Sequence, residues 1–337
     1  MALEKRVLTG ITTSGVPHLG NLAGAILPAI EASRHQFTSS FLFLADYHSL
    51  IKSQDPAMTH NSSFEIAASW LACGLDPNKV TFYRQSDIPE IMELAWILSC
   101  VTAKGLMNRA HAYKAATAIN KEKEVPDLDK GVLMGLFNYP ILMAADILAF
   151  NADQVPVGGD QKQHLEMARD IAARFNYLYG EVFKLPEAVI NSETGVLPGI
   201  DGQKMSKSYN NTIPIFLNKE SLLKMIKKIK TNSLEPGIPK DSNNCTIFKL
   251  YKAFASEGQI QDLEVRYQKG IGWGEAKDIL YSELESKIEP IRERYELIRH
   301  DKRHLEHILI EGAVKAREVS SKIISDVREA VGIKGFC

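Results

Sequence analysis

Short apolar runs alternate with longer stretches of helical periodicity through the first half of the chain. "RVLTG" at 6–10, "SFLFLAD" at 40–46 and "KVTFYRQS" at 79–86 read as strands, each followed by a turn signal and an amphipathic segment, roughly 20–36, 59–74 and 88–103. "QVPVGGDQ" at 154–161 reads as a further strand ending in a glycine turn, and "DQKQHLEMARDIAARFN" at 160–176 as a helix capped by Asp160. Such alternation predicts a parallel sheet with helices on both faces. Ligands then bind beyond the carboxyl ends of the strands, so the loops after Leu8, Leu44 and Val157 are the places to look for chemistry.

The pattern weakens over 104–130, which is polar, contains a proline and loses periodicity after Lys121, so a mobile connection is expected there. The 20 residues 131–150 are strongly apolar, but Asn138, Pro140 and Asp146 interrupt them, which favours a buried core helix over a membrane span. Pro140 is expected to start or kink that helix. From about 218 strand signals vanish. Apolar residues recur at helical spacing, as at Leu305, Ile308 and Leu309 and again at Ile323, Ile324, Val327 and Val331. The fold class expected is α/β: a Rossmann-like parallel-sheet domain over 1–217, with a connective insertion around 104–130, and an α-helical domain over 218–337.

Composition adds bounds rather than direction. A chain of 337 residues, 45% of them apolar, can bury two ordinary cores. "MALEKRVLTG" has no long apolar signal-peptide region, so a cytoplasmic protein without a membrane segment is expected. Cys73, Cys100, Cys245 and Cys337 are too scattered for a disulfide framework or a paired metal motif, and read as reduced, mostly core thiols; no metal site is expected. The net charge of −1 hides an asymmetry: residues 203–337 carry 24 Lys and Arg against 19 Asp and Glu, a balance of +5, leaving −6 for residues 1–202. "KMIKKIK" at 224–230 belongs to the basic part, although a solvated helix face explains such a run as well as a phosphate track does.

Two segments carry chemistry. In "GIDGQKMSKSYNN" at 199–211, glycine and asparagine favour turns and positive φ, so Gly199, Gly202, Asn210 and Asn211 bracket a loop bearing Lys204, Ser206, Lys207 and Ser208. Such a loop can close over an anion, or be a plain surface loop. The turn after the first strand, "TGITTSGVPHLGNLAGAI", has glycines at 10, 15, 20 and 24 where a ligand can approach backbone and a helix N-terminus can face phosphate. It matches neither GxxxxGK[ST] nor GxGxxG. His18 and Asn21 add side-chain donors three residues apart at the helix entry.

Together, "HLGN" at 18–21 and "KMSKS" at 204–208 resemble the HIGH and KMSKS signatures of class I aminoacyl-tRNA synthetases, with Asn21 where the second histidine of HIGH would stand. "YPILMAADIL" at 139–148 and "VPVGGDQKQHLEMARDIAARFN" at 155–176 look like the tryptophanyl-tRNA synthetases of bacteria, and the resemblance extends over nearly the whole length. It is weakest over 104–130 and 230–337. Many bacterial relatives have Thr at the position of His18 and Gln at that of Thr12.

The resemblance implies activation of L-tryptophan by ATP with Mg²⁺, release of pyrophosphate, and transfer to the 3′ end of tRNA(Trp). By position it implies Lys204, Lys207, His18 and Asn21 as catalytic residues; Thr12, Gly20, Gly24, Gly158, Asp160, Ser206 and Ser208 as ATP contacts; and Asp146, Met143, Tyr139, Gln161 and His48 as tryptophan contacts. Asp146 would accept the indole N–H, a donor that phenylalanine lacks. Alternatives stand beside several of these: a structural carboxylate for Asp146, core packing for Met143, a structural histidine for His48, helix capping for Asp160. The helical domain would read the anticodon, and the family implies a homodimer. Rival readings are a tyrosyl-tRNA synthetase, a tRNA-binding paralogue without catalysis, and a small nucleotidyltransferase. Residues 139–176 argue against the first, intact "HLGN" and "KMSKS" against the second, and the long helical C-terminal part with Asp146 against the third.

Overall fold

The computed structural model describes residues 5–13, 15–34, 38–190 and 197–336, the side chains of Asp160 and Ile190 excepted. Its centre is a five-stranded parallel sheet in the order β3-β2-β1-β4-β5, formed by β1 (Lys5–Ile11), β2 (Thr38–Leu44), β3 (Thr81–Arg84), β4 (Gln154–Val157) and β5 (Glu187–Ile190). β1 pairs with β2 along its whole length, from Lys5 opposite Thr38 to Ile11 opposite Leu44. The chain winds outward from β1 to β3 on one side, then returns to place β4 and β5 on the other. The switch point therefore lies between β1 and β4, and beyond the carboxyl ends of those strands is where sheets of this kind form their ligand crevice.

Residues 41–44 are apolar without alternation because both faces of the sheet are covered. Leu42, Leu44 and Phe82 pack with Leu19, Leu22 and Ile66, whereas Phe41, Phe43 and Tyr83 pack with Ile91, Ile141 and Leu165 on the opposite face. The covering helices follow in chain order. The first helical run consists of α1 (Leu19–Asn21), a π-helical segment (Leu22–Ile26) and α2 (Leu27–Ala32), ending short of the residue 36 read from sequence. α3 (Asp46–Ser49) and α4 (Pro56–Ala72) follow β2, and α5 (Pro89–Val101) follows β3.

Residues 123–130 carry no helix or strand, but residues 104–122 are not the irregular connection expected. They form α6 (Lys104–Met107) and α7 (His111–Glu122), because the alanines at 112, 115, 116 and 118 favour helix without supplying an apolar stripe. Gln163 ties this segment down, accepting from His111 N at 2.9 Å and donating to Arg109 O at 2.9 Å. α8 (Met134–Leu148) starts before Pro140 and runs through it, so the proline does not begin the helix. α9 (Lys162–Tyr179) starts two residues later than read, with Gln161 at its N-cap, and Asp160 falls in a 3₁₀ turn, Gly159–Gln161. β5 has no counterpart in the sequence reading. Cys73 and Cys245 are buried, Cys100 is exposed, and Cys337 lies outside the described residues.

Beyond residue 190 the described elements are helical: α10 (Lys219–Lys227), α11 (Thr246–Lys252), α12 (Glu257–Gln268), α13 (Trp273–His300) and α14 (Lys302–Ala330), apart from a 3₁₀ turn at Lys207–Tyr209. No described helix is long and apolar enough to cross a membrane. α14 returns to the sheet and lies along β3, an edge strand whose open side would otherwise present unpaired peptide groups. Ala313 and Ala316 join the core beside Phe41 and Tyr83. Arg84 meets Glu306 through two bonds of 3.0 and 2.6 Å, and Arg317 meets Glu90 at 2.9 Å.

The closest approach is at Gly312, where a Cβ would lie 1.7 Å from the carbonyl oxygen of Phe82. Helix propensity alone makes Gly312→Ala stabilising by about 1 kcal/mol. The contact reverses the sign: overpacking is expected to destabilise by about 1–3 kcal/mol, read as a lowered urea midpoint. A raised midpoint would show that α14 is not seated on β3.

Candidate active site

The two signature segments are stitched together by backbone. Leu19 N donates to Ile213 O at 3.0 Å and Ile215 N to Pro17 O at 3.2 Å, pairing His18 with Pro214 in an antiparallel bridge. Met205 is buried and its N donates to Leu197 O at 2.9 Å. A Cβ on Gly20 would stand 3.0 Å from His18 Cε1 and 3.6 Å from Met205 Sδ, and one on Gly15 only 3.2 Å from Lys207 Nζ. Glycine at 20 thus makes room for the His18 ring, while Met205 of the downstream loop stands at ordinary contact distance. Gly15, at φ +63°, supplies the turn before it.

His18 caps α1. Its Nδ1 accepts from Asn21 N at 3.3 Å, and Asn21 Oδ1 accepts from His18 N at 3.1 Å, a reciprocal capping box. An accepting Nδ1 leaves the proton on Nε2. Burial and, secondly, the Lys207 charge lower the His18 pKa to about 4, so the ring is neutral at pH 7. Burial also draws the Lys207 ammonium below the ordinary lysine value. Lys204 is exposed, and Lys207 is exposed overall with a partly shielded ammonium. Ser206 caps the 3₁₀ turn Lys207–Tyr209, its Oγ accepting from Ser208 N at 3.3 Å. Of the four residues expected to bend this loop, Gly202 and Asn210 take positive φ (86° and 51°); Gly199 and Asn211 do not.

A second group gathers at the ends of β2 and β3 and on the inner face of α8. Asp146 is 2% exposed. Its Oδ2 lies 2.8 Å from His48 Nε2, and its Oδ1 accepts from Gln85 Nε2 at 2.7 Å. Burial raises this carboxyl above the usual aspartate value, outweighing the hydrogen bonds from His48 and Gln85 that pull it down. Met143 is half-buried one turn earlier. The Tyr139 hydroxyl bonds to His164 Nε2, and His164 Nδ1 lies 2.9 Å from Gln161 Oε1. The His48 and Tyr139 rings approach edge-on, centroids 6.4 Å apart.

Asp146, Met143, Tyr139, Gln161 and His48 therefore stand in one neighbourhood. The sequence reading missed two members, Gln85 and His164; the signals were polar residues at a strand end and one turn into a helix beside Gln161. Thr12 is exposed just beyond β1, and Gly158 opens the turn after β4. A Cβ on Gly24 would meet nothing within 4 Å, so the fold itself does not require that glycine. The side chain of Asp160 lies outside the described residues.

The neutral His18 carries a stability consequence. An unfolded histidine titrates near 6.5 and the folded one near 4, so between those values the unfolded chain binds more protons. The contribution is whole above about pH 6.5 and is lost as pH falls toward 4. Urea midpoints are expected to drop from pH 7 to pH 5 in the native protein and to drop less in His18→Asn. Equal slopes would show that His18 is not held neutral.

Comparison with known proteins places this geometry. The family described as tRNA synthetases class I (W and Y) matches residues 3–288. The tryptophan–tRNA ligase of Neisseria meningitidis serogroup A is 54% identical over 331 residues, covering 98% of each chain. That of Pseudomonas aeruginosa is 55% identical over 337 residues, 99% of this chain and 75% of its own. A crystal structure of tryptophanyl-tRNA synthetase from Campylobacter jejuni complexed with ADP and tryptophan is similar at a TM-score of 0.87 and 44% identity, over 97% of this chain and 99% of that one. The chain belongs to the class I tRNA synthetases of the tryptophan and tyrosine group.

Proposed function

We propose that this chain is a tryptophan–tRNA ligase whose candidate site works as follows. The observation that carries the reading is Asp146, a carboxylate buried on an apolar helix and bonded by one donor at each oxygen, from His48 and Gln85 just past the carboxyl ends of β2 and β3. Each of its oxygens keeps a lone pair suited to the indole N–H. Phenylalanine would leave that acceptor unsatisfied, and a site built on a buried hydrogen bond rejects the analogue that lacks it. Met143 would pack on the indole, with Tyr139, Gln161 and His48 around the amino acid and its α-ammonium.

The tryptophan carboxylate oxygen attacks the α-phosphorus of ATP, and the bond to the bridging oxygen of pyrophosphate breaks. The carboxylate is already a nucleophile, so the protein's work is placement and neutralisation of charge on the leaving group. Lys204 and Lys207 are suited as point charges on a loop, and His18 as a neutral Nε2–H donor. Asn21 holds His18 in that tautomer. Thr12, Gly20 and Gly24 would line the nucleotide on one side, Gly158 and Asp160 its ribose, and Ser206 and Ser208 the phosphates. ATP enters as its magnesium complex. The magnesium ion would be carried by phosphate oxygens and water.

In the second step a ribose hydroxyl at the 3′ end of tRNA(Trp) attacks the activated carbonyl and AMP leaves. The helical part, 218–337, would bind the anticodon, through contacts that weaken with salt. A homodimer in the cytoplasm completes the reading.

The test is ATP–pyrophosphate exchange with tryptophan, with tyrosine and with no amino acid, in native protein and in Asp146→Ala. Exchange with tryptophan alone is expected, with kcat/KM reduced at least 100-fold in the variant, about 2.7 kcal/mol of transition-state stabilisation. Exchange supported by tyrosine would overturn the choice of amino acid. Exchange with neither would overturn the reaction.

A further inference from the structure

Inside the loop that carries Lys204 and Lys207 sits a polar side chain that the reaction does not touch. Asn211 is 2% exposed, and its amide is bonded on both ends. Oδ1 accepts from Ser206 N at 2.8 Å. Nδ2 donates to Lys204 O at 3.0 Å and to Asp201 Oδ1 at 2.8 Å. Its backbone oxygen accepts from Ile200 N at 3.0 Å, and Ile200 O in turn accepts from Lys230 N at 3.0 Å, just past the end of α10. The fit is close, since a Cβ on Gly199 would stand 2.4 Å from Asn211 Cγ and 2.5 Å from its carbonyl oxygen.

Lys204 O and Ser206 N–H belong to the peptide groups on either side of Met205. Holding both from one amide fixes the backbone orientation of residues 204–206, and with it the direction in which Lys204 leaves the loop. The buried Met205 side chain seats the same segment against Gly20, so the front of the motif has two anchors, one polar and one apolar. All three side-chain bonds of Asn211 go to groups of this loop. None goes to Asp146, His48, Gln85, Tyr139 or His164.

We propose that Asn211 is a positioning residue for adenylate formation: its amide sets the placement of the lysine-bearing loop over the phosphates without taking part in amino-acid binding. The inference rests on the reaction proposed above. It also says which side chains are acceptable. Aspartate is nearly isosteric, but it would turn a carboxylate oxygen toward two acceptors, Lys204 O and Asp201. Alanine would leave Lys204 O, Ser206 N–H and Asp201 without this partner.

The experiment uses the full chain with Asn211→Ala, Asn211→Asp, and Asn211→Asp combined with Asp201→Asn, which exchanges donor and acceptor across one contact. Exchange kinetics with tryptophan give kcat and the KM values for tryptophan and pyrophosphate; calorimetry gives tryptophan affinity, which also reports that the variant is folded. The expected result is kcat at least tenfold lower and KM for pyrophosphate raised in both single variants, tryptophan affinity within twofold of native, and a severalfold regain of kcat in the double variant. Single variants with kcat within twofold of native would overturn the inference alone. So would tryptophan affinity falling in step with kcat, because that marks a general structural role. Native protein without tryptophan-dependent exchange would overturn the proposed reaction, and this inference with it.

Discussion

An ionisable group in a packed interior stays charged only if nearby donors replace the water it has lost, and Asp146 places that demand at the centre of this molecule. Its carboxylate is met by His48, just past β2, and by Gln85, just past β3. Those two side chains reach one carboxylate because β2 and β3 run parallel and in register, Leu44 beside Arg84. Tyr47 N, in turn, donates to Gln85 Oε1 at 3.1 Å, so the loop after β2 orients the very amide that holds Asp146. A slip of the sheet by one residue would turn every strand side chain to the other face and separate these groups. The register of the sheet and the charge state of the pocket are thus one constraint.

The second constraint is electrostatic and runs the other way. The crevice gathers cations from Lys204 and Lys207, and a charged His18 beside Lys207 would repel them in the absence of phosphate. Burial of the ring and the charge of Lys207 keep it neutral. A neutral imidazole can still donate through Nε2, so a hydrogen bond remains available where another positive charge would be costly. Asn21, standing where the wider class has histidine, is consistent with this: an amide caps its neighbour without adding a titratable group.

Legibility followed burial. β1 to β4 could be read because strands covered on both faces are nearly continuous apolar runs, and α13 and α14 because long amphipathic helices repeat their apolar positions over many turns. α7 could not, since it has no fully buried residue and its half-buried face, at 112, 113, 116, 117 and 120, is made of alanine, threonine and asparagine with one tyrosine. β5, four residues at a sheet edge, went unread although β3 and β4 are equally short. At the site, sequence offered candidates only within recognisable motifs, and Gln85, His164 and the bonding role of Asn211 were not among them. An amide or imidazole acquires meaning only from what the fold sets opposite it. Asn211 shows this plainly: its residue type suggested a turn, and Asn210 took the left-handed turn instead.

The placement of α14 joins these strands of argument. Arg84, the last residue of β3, is held by Glu306 of α14 and by Asp87, 2.8 Å away; the next residue is Gln85. Gly312 lets the same helix lie directly on the backbone of Phe82. The edge strand that presents Gln85 to Asp146 is therefore clamped from outside by the C-terminal helix, at its end by an ion pair and along its side by contact. Because Arg84 and Glu306 are partly exposed, the pair itself contributes little to global stability. Its effect is local, limiting the rotation of the β3 terminus that would carry Gln85 away from the carboxylate. A change at the start of α14 that leaves the fold intact can thus reach the proposed amino-acid pocket through two adjacent residues, without any rearrangement of the sheet.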